Sequence, residues 1–417
     1  MGQTTAEKIF SAHTGHEVYA GQRCFYSPDL CFCQDQTAPE VLDRFELLGL
    51  PVKKSLRFFL GIDHNSPAPD TVRASVHCRM RKFAADCSAK LFDIDRGIVH
   101  HVLIDSGLIR PGFLVTGSDR HASVCGAVGA LGMSISPADL VLTMVKGKNC
   151  MTVPQTIKIV LKGKPEPGVF AQDIMLWLIS FFSEKGCRGK VLEFSGKAVN
   201  GFSPAARFTF AAMSAESGAV CGLLPADKKM FSFLEKTGCT DLNPISPDPD
   251  CKYAAVHEFD LSSCRPCISG PHSLDRVFTP EEMKGVSFAQ GFIGSAANGR
   301  LEDLQIAARI LEGKKISSRV KLFIAPASKN VFYSALKKGI IKKLAEAGAV
   351  ILPVGCGPSS GTHLGVPADG EKVLSTGPVN FKGSMGNPES EVYLASPATV
   401  AASCLQGAVQ SPRKFLK

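Results

Sequence analysis

No stretch of this 417-residue sequence is apolar for long enough to cross a membrane. The longest apolar helix candidate, around Ile174 to Phe182, is about half the length a span requires. The N-terminus, Met1-Gly2-Gln3-Thr4-Thr5-Ala6-Glu7-Lys8, lacks the apolar core of a signal peptide. Ala6 stands where a myristoylation signal needs serine or threonine. Cysteine is plentiful, at 15, but the set is odd and scattered, without the regular spacing of a secreted disulfide scaffold. A reducing cytoplasm is the expected address. There is no dense Lys/Arg run with interleaved aromatics, so a formal charge of +9 reads as a solvated basic surface. Nucleic-acid binding is not expected. Internal repeats and low-complexity tracts are also lacking.

What is present is a pattern of short β-branched runs alternating with longer amphipathic ones, the mark of an α/β fold. Val320 to Ala325 reads as a buried strand, Asn330 to Ala347 as a helix stopped by Gly348, and Ala349 to Pro353 as the next strand. Phe113 to Thr116 and Ser287 to Ile293 also read as strands, the second leading through a small-residue loop to a helix near Leu301. Lys162 to Gly168 and Asp241 to Asp250 read as connectors. The length suits two or three domains.

In α/β sheets ligands bind outside the carboxyl ends of strands. Three segments stand there: Gly117-Ser118-Asp119-Arg120-His121, Gly294 to Gly299, and Gly355-Cys356-Gly357-Pro358-Ser359-Ser360-Gly361. Their distance in the chain points to one shared cleft.

Several of these motifs, in order, resemble the aconitase and isopropylmalate dehydratase large-subunit family. They are Thr5-Ala6-Glu7-Lys8-Ile9, Gly97-Ile98-Val99-His100-His101, Gly117 to His121, Phe292-Ile293-Gly294-Ser295-Ala296-Ala297-Asn298-Gly299-Arg300 and Leu394 to Val400. The resemblance implies three α/β domains around a central cleft, expected at 1–164, 165–284 and 285–417. It also implies that the swivelling fourth domain resides on a separate small subunit, the expected partner beside a small-molecule substrate.

Three groups of residues carry over by resemblance. The first handles protons and the hydroxyl: Asp63, His64, His100, Asp119, His121 and Glu216. Gln34, Arg120 (in place of a serine), Ser295, Asn298, Arg300 and Ser384 fall at substrate-side positions. Paired carboxylates and imidazoles suit acid–base work, because neighbours push their pKa values apart. The second group holds the family's [4Fe-4S] cluster, and only Cys356 of three thiolates stands here; Ala296 and Ser359 occupy the others. One thiolate cannot hold a cubane cluster in that way, so no cluster is expected. Cys264-Arg265-Pro266-Cys267 and Cys125 are alternative thiols, read by default as chance cysteines.

The third group grips carboxylates. Its two arginines are Val379 and Ser384 here, an asparagine is Pro378, and another asparagine, near Glu216, is Ala212. The ordered losses suggest a repurposed site: a lyase or isomerase of small hydroxy acids driven by His, Asp and Glu, with a divalent metal on that set as a subsidiary reading. The alternative is a non-catalytic paralogue that binds a small subunit or a true isomerase and regulates it.

Overall fold

The structure, a computed structural model, describes residues 2–87 and 89–416. Three sheets organise the chain. The first has five parallel strands in the order Lys90–Phe92, Phe58–Gly61, Leu30–Gln34, Leu114–Gly117, Leu131–Ser134. Leu30–Gln34 is buried along its whole length, as a central parallel strand covered on both faces must be. The chain builds outward from it in one direction and then returns to build in the other. The resulting switch point lies between Leu30–Gln34 and Leu114–Gly117, with Asp35 and Asp119 just past the two strand ends.

The second sheet has four parallel strands, ordered Cys221–Leu223, Val191–Ser195, Thr156–Lys162, Ala255–Asp260. The third has seven. Five are parallel, and Ile268–Ser269 and Val277–Phe278 close one edge antiparallel. Its own switch point falls between Gln290–Ile293 and Lys372–Ser375, so the Gly294 and Thr376 loops face each other. The Thr376 hydroxyl bridges them, accepting from Gly294 N at 2.9 Å and donating to Gly294 O at 3.1 Å. The α/β architecture expected from the residue pattern is present.

Two close approaches lock the sheets together. Gly126 lies against Gly222, where an added methyl group would sit 2.0 Å from the Gly222 carbonyl oxygen. Gly355, at φ +138°, lies against Asp63, where a methyl group would sit 2.7 Å from the Asp63 carbonyl oxygen. Only glycine satisfies both demands at position 355. The next residue's N–H, that of Cys356, donates to the same Asp63 oxygen at 3.0 Å.

The expected strands and stops are found within a few residues, as Lys321–Ile324, Val350–Ile351, Leu114–Gly117 and Gln290–Ile293, with Gly348 capping in the left-handed region. The single helix expected over Asn330 to Ala347 is instead two, Lys329–Lys337 and Ile340–Ala347. Gly339 breaks it at φ +70°, which lets the second helix turn its apolar face onto the third sheet's core. Among the described residues, no helix is long and apolar enough to cross a membrane.

Because the Gly126 contact meets backbone rather than a movable side chain, Gly126→Ala is expected to destabilise the protein by about 1–3 kcal/mol. Urea unfolding with unchanged slope and a lowered midpoint checks this.

Candidate active site

The site is built around the carboxylate of Asp35, which follows the central strand. Its Oδ1 accepts from Asp63 N (3.1 Å) and His64 N (2.9 Å), and its Oδ2 accepts from Asn65 N and Asn65 Nδ2 (both 2.8 Å). Burial opposes its charge, yet His77, His64 and these N–H donors hold its pKa well below the usual aspartate value. One buried anion thus bends the loop after Phe58–Gly61 so that Asp63 and His64 turn into the cleft.

Asp63 is 1 % exposed and bonded at both oxygens, to His64 Nδ1 at 2.6 Å and to Val99 N at 2.7 Å. Cys356 arrives from the third sheet, packed against Ile98 and Ala327. The donor atoms of Asp63, His64 and Cys356 all lie within 4.8 Å of one another. Burial would strip the His64 proton, but Cys356 and Asp63 outweigh it and hold the imidazole well above its ordinary pKa. Burial also pushes the Cys356 thiol up to about 12, with His64 opposing. Burial raises Asp63 as well, with His64 opposing.

A second carboxylate–imidazole pair stands on the other side of the switch point. Asp119 caps the 3-10 turn Arg120–Val128, accepting from His121 N at 2.7 Å. The His121 Nε2 then meets Glu216 Oε1 at 3.1 Å. Glu216 is presented by the turn Ala215–Ser217 that ends the helix Pro204–Ser214, and Arg120 Nη2 donates to its other oxygen at 2.8 Å. Arg120 remains half exposed.

Between the pairs lie groups without partners. His100 is 1 % exposed, and neither ring nitrogen has a hydrogen bond. Burial first, then the adjacent His101, hold its pKa well below normal, so the ring is neutral. Its centroid lies 6.4 Å from that of His121. Asp119 Oδ2 is likewise unpartnered; burial works against its charge, but His121, His64 and the His121 N–H keep its pKa below the ordinary value. An unsatisfied buried polar group costs roughly 1–3 kcal/mol, so two of them near each other call for an explanation.

The remaining sequence candidates are placed variously. Gln34 is buried beside Asp35, its carboxamide oxygen accepting from Gln36 N. The Ser295 and Ser384 hydroxyls are buried and unpartnered, Ser295 at φ +78°. Asn298 spends its amide on Gln172 (2.9 Å) and the Thr376 carbonyl (2.8 Å). Arg300 is one residue removed from the cleft: it clasps Asp105 at 2.9 and 3.2 Å and touches His101 Nδ1, whose ring lies 5.0 Å from that of His100. Two contributors escaped the sequence reading. Asp35 could have been found from its place just past the apolar run Leu30-Cys31-Phe32-Cys33. His363, with an unpartnered Nε2 and within electrostatic reach of Asp35 and His64, carries no such signal.

A family model described as the aconitase family (aconitate hydratase) matches residues 7–282 and 276–407. The chain is also 42 % identical over 419 residues to the 3-isopropylmalate dehydratase large subunit 1 of Thermotoga maritima, covering all of both chains. The chain belongs to the aconitase family. The large subunit 1 of Methanopyrus kandleri is 37 % identical over 418 residues, again end to end. Among solved structures, Thermococcus kodakaraensis aconitase X (holo-form) shares the fold, with a TM-score of 0.51 and 14 % identity over 87 % of this chain and 84 % of that one.

The cluster of the aconitase family does not fit these residues. Ala296 presents a methyl group and uses its carbonyl to accept from His101 Nε2 at 2.9 Å. The Ser359 hydroxyl donates back to the Cys356 carbonyl at 2.6 Å. Cys267 is anchored at Asp173, and Cys125 lies against Cys221. Among the described residues, the only group of three or more His, Cys, Asp or Glu able to share a metal is Asp63, His64 and Cys356. The ligand set is reduced to one thiol with an aspartate and a histidine, which cannot reproduce three-thiolate ligation.

Replacing the Asp35 carboxylate by an amide is expected to cost roughly 1.5–3 kcal/mol, the worth of hydrogen bonds to a charged group. A folded pKa below the unfolded one contributes stability above the unfolded value and loses it as pH falls. The gap between wild type and Asp35→Asn should therefore be full above about pH 4 and close below it. Unfolding midpoints measured across that range check the sign.

Proposed function

We propose that this protein is the large subunit of a carbon–oxygen lyase or isomerase that acts on a small hydroxy acid by acid–base chemistry, without the [4Fe-4S] cluster. The observation that carries this is the convergence of two carboxylate–imidazole pairs, Asp63–His64 and Glu216–His121, on the unpartnered His100 and Asp119. Full-length similarity to 3-isopropylmalate dehydratase large subunits supports the reaction class.

In the elimination direction His121, oriented by Glu216, takes the proton from the carbon next to the carboxylate. The hydroxyl on the neighbouring carbon leaves toward the Asp63–His64 side and departs as water with the His64 proton. One C–H and one C–O bond break, a C=C bond forms, and no oxidant is needed. His100, neutral and unpartnered, is placed to donate or accept one hydrogen bond to the substrate, and Asp119 Oδ2 accepts another.

The substrate carries fewer carboxylates than the family's usual ones. Val379 and Ser384 offer no charge where two arginines are expected, and Lys382 turns outward to Glu389 at 3.5 Å. The arginine at the site is Arg120, whose half-exposed guanidinium can take one carboxylate while its other face holds Glu216. The 15 free thiols favour a reducing cytoplasm, and a small swivelling subunit is the expected partner.

Proton exchange tests this reading without waiting for net turnover. A panel of hydroxy mono- and dicarboxylates in D2O, with and without a small subunit, should include one that gains deuterium next to its carboxylate by NMR. Glu216→Gln should slow that exchange roughly 10²–10⁴-fold. Tight association with a small subunit and no exchange with any acid would leave the non-catalytic paralogue standing instead.

A further inference from the structure

We propose that Asp63, His64 and Cys356 form a mononuclear metal site for a zinc-type divalent cation, with its fourth position open toward His100 and Asp119. This deepens the lyase reading and rests on it for the ion's role, though not for its binding.

The donor set is one carboxylate oxygen, one imidazole nitrogen and one sulfur, the borderline mixture that suits zinc and its neighbours better than magnesium or calcium. Metal–ligand distances of 2.0–2.3 Å around a tetrahedron place donors about 3.3–3.8 Å apart. The three donor atoms are already within 4.8 Å of one another. The short contact is Asp63 Oδ1 to His64 Nδ1 at 2.6 Å, where a proton stands in the space a cation would take. A nucleophile relay would hold carboxylate and sulfur on opposite sides of the imidazole; here all three donors converge.

The surroundings fit an ion as well. Asp63 is 1 % and Cys356 5 % exposed, so bulk water competes little, while His64 keeps 14 % of its side chain open to the cleft. Asp35 fixes the backbone of both Asp63 and His64 from behind, the kind of outer support that orients metal ligands. Gly355 and the Cys356 N–H fix the sulfur's peptide on the Asp63 carbonyl. Of two buried groups without partners, Asp119 lies within electrostatic reach of all three ligands and His100 within reach of His64. They supply hydrogen bonds to a water or hydroxyl in the fourth position.

Loading balances simply. The cation enters, the Cys356 thiol gives up its proton, and the proton of the Asp63–His64 hydrogen bond leaves to solvent. Three protein ligands then leave one vacancy, the arrangement of catalytic rather than structural zinc. The ion takes the departing hydroxyl oxygen that His64 would otherwise protonate, and His121 with Glu216 keeps the carbon proton.

The test is titration of the chelator-stripped full-length protein with Co²⁺ under argon, followed by absorption. One equivalent should bind, with a near-ultraviolet sulfur-to-cobalt band and the strong visible bands of four-coordinate cobalt. Cys356→Ser should lose the sulfur band and bind at least tenfold more weakly, whereas Cys267→Ser should change neither. Should Cys356→Ser fail to fold, His64→Gln should keep the sulfur band and lose affinity. The inference is overturned by absence of the band at one equivalent, by its persistence in Cys356→Ser, or by iron with stoichiometric acid-labile sulfide in the protein as isolated. Deuterium exchange on the same samples separates the two readings. Exchange without the cobalt–sulfur band removes the metal site and leaves the lyase. The band without exchange keeps the site and removes the lyase.

Discussion

The geometry of the cleft depends on one buried anion. Asp35 receives four N–H bonds from three consecutive residues, 63 to 65, at the end of a neighbouring strand. A chain leaving a parallel strand normally passes straight into the next connection. Here it is drawn sideways across the top of the central strand, which brings Asp63 under the first N–H of the helix Val99–Asp105 and His64 toward Cys356. Remove the carboxylate, and neither the imidazole nor its partner has a reason to face the cleft.

The two halves of the site have different histories in physical terms. On the Glu216 side His121 and Glu216 are paired, Asp119 Oδ2 and His100 are not, and the guanidinium of Arg120 extends the network. On the Cys356 side two positions that would grip iron are closed by local bonds, Ser359 to its own turn and the Ala296 carbonyl to His101. Those bonds are self-contained. A site abandoned outright would leave such groups loose, whereas here the lost ligands have been absorbed into the scaffold.

Much of this was legible in the sequence and some was not. Strand-end loops are readable, because apolar runs followed by Gly, Asp and Ser announce both the strand and its exit. That is why Asp119, His121 and Cys356 could be placed near one cleft. His100 and His101 show the limit. They are adjacent and chemically identical, but a helix turns successive side chains about 100° apart. One therefore sits unpartnered in the cleft, while the other stacks on Phe208 and bonds Ala296 and Arg300. Arg300 and Asn298 have the right residue types for substrate binding, yet their bonds run to Asp105 and to Gln172 and Thr376. Tertiary partners decided that, and spacing cannot show them. The break at Gly339 was readable in principle, since glycine between two helical runs is a natural stop.

The contact between Gly355 and the Asp63 carbonyl joins loops that lie some 290 residues apart in the sequence, 355 − 63 = 292. It makes the two strand-end loops a single mechanical piece, so a shift of either strand end carries Asp63, His64 and Cys356 together. The corner is thereby held from both ends of the sequence at once, and its three side chains keep their spacing whichever sheet moves.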